Sequence, residues 1–185
     1  GNQNNNHYAL ARYLRDCGFT CDLLIFRDED DHFHPKADSY DLQYQRWVKF
    51  IHWNGNKFFA TNKDVYNVIK GYDILIGSGY APAFLDIACL GLDIMIPYGY
   101  DCYDATFYRV GAPHKFLETL SLIYHQRRGI QKVKIFHYPT ENDEYFRRIK
   151  KLTKKSKFWI GGIPMVYAPM YEPKNLSTLL KKTHW

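Results

Sequence analysis

A chain of 185 residues is the length of one ordinary domain. Its 46% apolar content is enough to bury a real core, which excludes a disordered chain, and no apolar run of ~20 residues offers a helical membrane span. A net charge of +6 and a pI near 9.0 favour an anionic partner, whether nucleotide phosphate, anionic lipid or nucleic acid.

Aromatic residues reach 17%, with Tyr occurring 16 times, which serves a core and also suits stacking on sugars or bases. Cys17, Cys21, Cys89 and Cys102 show neither metal-ligand spacing nor a secreted disulfide framework. Cys17 and Cys21 fall in a predicted helix and strand, where they read as small hydrophobes. Reduced thiols and a cytoplasmic location are therefore expected.

In chain order, Leu10, Tyr13, Leu14 and Cys17 recur at helical spacing after Asn6, and Gly18 is placed to end that helix. Cys21 to Phe26 is an apolar run of strand length, followed by a polar loop from Arg27 to Ser39. Tyr44, Trp47, Val48 and Ile51 again recur at helical spacing. Asn62 to Lys70 predicts a short helix with Val65, Val68 and Ile69 inward. Asp73 to Ile76 predicts a buried strand ending in Gly77-Ser78-Gly79, and Pro82 suits the first turn of a helix that carries Leu85, Ala88 and Cys89 and stops at Gly91. Asp93 to Pro97 is the next strand.

Pro113 opens a long helix through Arg128, with Leu117, Leu120 and Tyr124 on one face. Val133 to Phe136 reads as a strand. Asn142 to Leu152 reads as a helix with Phe146, Ile149 and Leu152 inward. Phe158 to Ile160 and Met165 to Tyr167 are strand-like, and Leu176, Leu179 and Leu180 mark a last short helix. Alternating helices and apolar strands predict an α/β fold: a Rossmann-like, mainly parallel sheet with helices on both faces, in a single domain over 1–185. Ile25, Leu75, Ile94 and Ile135 are its expected buried strand residues.

Three loops are candidates for a ligand cleft, because one edge of a parallel sheet gathers the loops that leave its strands. They are Gly1 to Asn6, Gly77-Ser78-Gly79-Tyr80, and Pro97-Tyr98-Gly99-Tyr100-Asp101. Glycine lets backbone approach a ligand, and free N–H groups at helix starts favour phosphate or hydroxyl oxygens. The plainer reading of each loop is turn chemistry.

Asp28-Glu29-Asp30-Asp31-His32-Phe33-His34 offers carboxylates and imidazoles for a divalent ion and contains the D-x-D of metal-dependent sugar-nucleotide enzymes. Its consecutive acids fit a solvated loop better, so no metal is expected there. Arg147, Arg148, Lys150, Lys151, Lys154, Lys155 and Lys157 form a basic run over a helix and its exit. It serves either as a solvated face or as an attachment to an anionic membrane surface or another polyanion. No aromatic interleaving or fold signature points to nucleic acid.

The run Gly1-Asn2-x-Asn4-Asn5-x-x-Tyr8-x-Leu10-Ala11-x-x-Leu14-Arg15-x-x-Gly18 resembles the first loop and helix of a GT-B glycosyltransferase acceptor domain, of the glycosyltransferase-4-like kind. The strand, Gly-Ser-Gly turn and helix over 73–91 and Ile96-Pro97-Tyr98-Gly99-Tyr100-Asp101 resemble later elements of that domain. Met165-Val166-Tyr167-Ala168-Pro169-Met170-Tyr171 is similar to the strand that ends it. The family's strand before the first loop and its second domain, with the E-x7-E motif and most sugar-nucleotide contacts, have no counterpart in these residues.

The resemblance implies the acceptor-side half of a metal-independent enzyme, with no cofactor. Such an enzyme moves a sugar from a nucleotide-diphosphate sugar to a hydroxyl of a glycan or lipid-linked acceptor. Gly1, Asn2, Asn4 and Asn5 would then lie under the donor diphosphate, with Ser78, Gly79, Tyr80, Tyr98 and Gly99 lining the acceptor side. Asp101 would be the polar group near the reacting hydroxyl; its plainer role is to cap a loop. From the residues alone, a non-catalytic nucleotide- or anion-binding α/β module stands as the alternative.

Overall fold

The computed structural model describes residues 6–26, 34–37, 43–51, 61–98, 116–138 and 144–162. The predicted strand at Met165 to Tyr167 and the helix around Leu176, Leu179 and Leu180 lie outside the described residues. The chain divides into two compact units, one built mainly on Phe50–Ile163 and the other on Asn2–Leu24, Asp30–Lys49 and Pro164–Trp185.

Helix α1 spans Asn6–Asp16 in the second of these units, and β1 (Leu23–Phe26) pairs with β2 (Val48–Ile51) in a two-stranded sheet. α1 ends as expected: Gly18 takes φ +87°, its N–H reaches the Arg15 carbonyl, and the Phe19 N–H reaches that of Leu14. Its buried line differs from the expected one. Tyr8, Ala9 and Ala11 are buried while Cys17 is exposed, because Tyr8 stacks on Trp47 at 5.3 Å and turns the helix toward that ring. The Arg15 guanidinium lies over the same indole and donates to the Cys21 carbonyl at 2.8 Å. The helix expected around Tyr44 to Ile51 is instead a short 3-10 turn, Gln43–Arg46, followed by β2. Val48-Lys49-Phe50-Ile51 suits an extended ladder, and the Trp47 carbonyl accepts from the Leu23 N–H at 2.9 Å.

The larger unit carries the parallel sheet. α2 (Asn62–Ile69) starts at a capping box in which Thr61 and Asp64 exchange side-chain and backbone hydrogen bonds. β3 (Ile76–Gly77) leads into α3 (Ala81–Ile87), and β4 (Ile94–Met95) follows. α4 (Phe116–Gln131) leads to β5 (Ile135–Tyr138), and α5 (Glu144–Leu152) to β6 (Lys157–Ile160). The strands lie in the order β3-β4-β5-β6, every pair parallel, with Ile76, Ile94, Ile135 and Lys157 in register.

The α/β class and the parallel pairing are as expected. The predicted strand at Asp73 to Ile76 is shorter and shifted: Ile74 is exposed, while the Asp93 carboxylate accepts the Leu75 N–H at 2.8 Å. Ile25 is buried, whereas Leu75, Ile94 and Ile135 are half-buried.

Strand order determines where the helices sit. Successive parallel neighbours joined by right-handed crossovers carry their helices on one side. Val65, Phe84, Leu85, Ile130, Phe146 and Ile149 accordingly join Met95, Phe136 and Tyr138 in one core cluster. Among the described residues of this unit, the helices expected on both faces therefore cover one. Stacked rings extend that core, with Phe136 against Phe158 at 5.6 Å and Phe146 edge-on to Phe158 at 5.1 Å.

α4 does not bury the expected stripe. Leu120 and Tyr124 are exposed, and Gln126, Gly129 and Ile130 are buried instead. The cause is the close crossing with α3. A Cβ added at Gly129 would stand 2.0 Å from the Pro82 carbonyl oxygen, so only a glycine lets the two backbones meet. α3 ends in a Schellman turn, with the Leu90 N–H on the Leu85 carbonyl and the Cys89 N–H on that of Asp86. This puts Cys89, which is exposed, at φ +58°.

Gly129→Ala should therefore destabilise the protein by about 2 kcal/mol, through forced separation of α3 and α4. Gly71→Ala, with nothing within 4 Å of its added Cβ, should change stability by less than about 0.5 kcal/mol. Urea unfolding of both variants is the check.

Candidate functional site

The parallel register brings the ends of four strands to one edge. The Ile96 N–H donates to the Gly77 carbonyl at 2.9 Å, so Ser78-Gly79-Tyr80 runs beside Ile96-Pro97-Tyr98. Tyr138 and Gly161 close β5 and β6 at the same edge, where the Gly161 N–H meets the Tyr138 carbonyl at 3.0 Å. Of the residues expected to line a site, Ser78, Gly79, Tyr80 and Tyr98 are thus on adjacent strand ends. Gly1, Asn2, Asn4, Asn5, Gly99 and Asp101 lie outside the described residues. The described strands of this sheet run in sequential order, so the edge does not include a reversal of strand order.

The turn into α3 is built without a side-chain cap of its own. Tyr80 holds the capping position but its side chain makes no cap hydrogen bond. The helix's free N–H groups are satisfied in other ways. Ala81 donates to the Ser78 carbonyl at 3.1 Å, Pro82 has no N–H, and Phe84 donates to the Tyr80 carbonyl at 3.1 Å. The remaining donor, Ala83 N–H, is taken by Oε1 of Gln126 from α4 at 3.1 Å. Nε2 of Gln126 donates to the Gly79 carbonyl at 2.9 Å. Gly79 has φ +59°, the left-handed region that suits glycine. One fully buried amide from the next helix therefore fixes both sides of the turn. Ser78 is 3% exposed, so its side chain belongs to the wall of the edge and not to its open surface.

One turn further along α3 lies the charged node of this unit. The Asp86 side chain is fully buried, with Lys132 Nζ at 2.6 Å, His125 Nδ1 at 2.8 Å and Arg128 Nε at 3.6 Å. Burial raises its pKa, but the hydrogen bonds from Lys132 and His125 and the charges of Lys132 and Arg128 outweigh it, so the carboxyl sits below its usual range. Held between the Lys132 and Arg128 cations and hydrogen-bonded to His125, this carboxylate is poorly suited to take a proton from a substrate; its work is to tie α4 to α3. Sequence reasoning missed Asp86 and Gln126. The available signal was His125 and Arg128 at i and i+3, with Lys132 just past the helix end at i+7, a polar stripe beside the expected Leu120 and Tyr124 face.

At the start of α1, Asn6 Oδ1 is buried without a hydrogen-bond partner. Burial pushes the His7 imidazole down to about 3, so it is neutral at pH 7. Of the acidic loop, only His34 falls among the described residues. No group of three or more His, Cys, Asp or Glu side chains gathers to hold a metal ion among the described residues. No helix among them is long and apolar enough to cross a membrane. Comparison with known protein families, characterised proteins and solved structures finds no match.

Because the folded pKa of Asp86 lies below the unfolded one, its contribution to stability is complete above the unfolded value of about 4 and is lost as pH falls through the folded value. Asp86→Asn should cost about 2 kcal/mol at pH 7, since Lys132 and Arg128 are part-exposed and solvent shares their charge. The variant should also lose part of the acid sensitivity below pH ~4. Denaturant midpoints of both proteins between neutral and acid pH test this.

Proposed function

We propose that the chain is the Rossmann-like acceptor-side domain of a cytoplasmic GT-B glycosyltransferase, acting with a donor-binding domain. The reaction transfers a sugar from a nucleotide-diphosphate sugar to a hydroxyl of a glycan or lipid-linked acceptor. One observation carries most of the weight. The Gly-Ser-Gly-Tyr turn and the Pro-Tyr pair quoted for the family resemblance stand side by side on adjacent parallel strand ends. At such an edge a ligand meets backbone dipoles and ring faces together.

In this reading the buried Ser78 and the Gln126-bound Gly79 form a rigid floor, and Tyr80 and Tyr98 supply aromatic walls for a sugar ring. Asp101, three residues after Tyr98 in the sequence, is the candidate general base for the acceptor hydroxyl. A carboxylate in that role raises the electron density on the attacking oxygen as the donor bond breaks, and then carries the proton away. Gly1, Asn2, Asn4, Asn5 and Gly99 complete the proposed contacts.

Residues 1–185 alone should neither hydrolyse a sugar nucleotide nor transfer its sugar. In the enzyme that joins this chain to its donor domain, Asp101→Asn should lower kcat by about a hundredfold, with little change in KM or thermal midpoint. A near-normal kcat with a lowered thermal midpoint would assign Asp101 to loop capping. Micromolar nucleotide binding by 1–185 without turnover in the joined protein would favour the non-catalytic binding module.

A further inference from the structure

The edge of the sheet opposite the strand ends has a different character. α5 buries Phe146 and Ile149 and turns Arg147, Lys150 and Lys151 to solvent. After the helix, the Ser156 hydroxyl donates to the Val133 carbonyl at 2.7 Å and the Lys157 N–H to the Lys134 carbonyl at 2.8 Å. These bonds pin the lysine turn of 154–157 beside the turn that carries Lys132 and Lys134. The sequence run does not reveal this juxtaposition.

The local carboxylates are spent on one of the two turns. Asp86 takes Lys132, and Asp93 takes Lys134 at 2.6 Å. Lys154, Lys155 and Lys157 are exposed, and no carboxylate lies within ion-pair distance of them among the described residues. Arg147 and Lys151 on the outer face of α5 are in the same position. Like charges held together by a rigid helix and a pinned turn repel one another, and an anionic counter-surface relieves that repulsion.

From this we infer that the outer face of α5 and the turn after it form a docking surface for an anionic phospholipid bilayer. Three observations choose this partner. The nine-residue helix is about 13 Å long, more than a Debye length of ~8 Å, so the array meets an extended field and not a single phosphate. The charges are mainly lysine ammonium groups, which attract head groups as point charges without the planar fork that reads phosphate bidentately. Exposed Trp159 points to the other side of the sheet from Phe158, which packs on α5, so it offers this face no base-stacking platform. The inference is independent of the proposed transferase activity, because it concerns the opposite edge of the sheet.

The test is co-sedimentation of the full chain with phosphatidylserine-rich vesicles and with phosphatidylcholine vesicles, at low and physiological salt. Binding to the anionic vesicles alone, weakened by salt, is expected. Combined Lys150→Gln, Lys151→Gln, Lys154→Gln and Lys155→Gln should lower the partition coefficient at least about tenfold. Lys63→Gln with Lys70→Gln, two exposed lysines on and beside α2, should leave it unchanged. Circular dichroism and thermal midpoint should match wild type in both. The inference fails if wild type does not bind anionic vesicles, if the fourfold variant binds as wild type, or if the α2 pair loses as much. It also fails if duplex RNA competes the protein off the vesicles at equal phosphate concentration.

Discussion

The buried amide of Gln126 is the constraint on which the proposed site rests. A two-residue strand followed by a tight turn and a seven-residue helix is too short to hold its own shape. The turn holds because α4 supplies an acceptor for Ala83 and a donor for Gly79 from one side chain. That side chain reaches both only because Gly129 lets α4 close onto Pro82. The bond to Ala83 is buried and the one to Gly79 part-buried, so leaving the Ala83 N–H without its partner costs about 1–3 kcal/mol, where an exposed bond would cost little. Asp86 adds an electrostatic tie one turn further on and keeps the two helices in register.

Much of this unit was legible in the sequence because local and global signals agree there. The short helix α2 with Val65 inward, Pro82 in the first turn of α3, and the inward Phe146 and Ile149 of α5 all fall where spacing and helix-start chemistry put them. The failures share one cause, which is tertiary contact overriding periodicity. Tyr44, Trp47, Val48 and Ile51 fit a helical period, but Trp47 stacks on Tyr8 and Val48–Ile51 joins a ladder. On α4 the apolar period points to Leu120 and Tyr124, yet a glycine contact and two buried polar side chains decide the orientation. Gly79 and Tyr98 could be singled out by residue type. Gln126 could not, because an interior glutamine carries no signal until its partners across the helix interface are known.

The two edges of the parallel sheet divide the chemistry. Strand ends and the glycine backbone of the turn into α3 gather at one edge. Lysines gather at the other, where only long-range attraction is available. Asp86 and Asp93 set that division. Each pairs with a lysine of the α4–β5 turn, while the lysines of the α5–β6 turn have no carboxylate within ion-pair distance among the described residues.

Native-state hydrogen exchange on a Gln126→Leu variant tests the dependence of the turn on that amide most directly. Leucine keeps most of the side-chain volume and removes both hydrogen bonds. The Ala83 amide should exchange at least about tenfold faster than in wild type, while the Phe136 amide in the middle of the sheet keeps its protection. Unchanged exchange at Ala83, or equal loss at Ala83 and Phe136, would contradict the account: the turn would then be held by the sheet itself and not by α4.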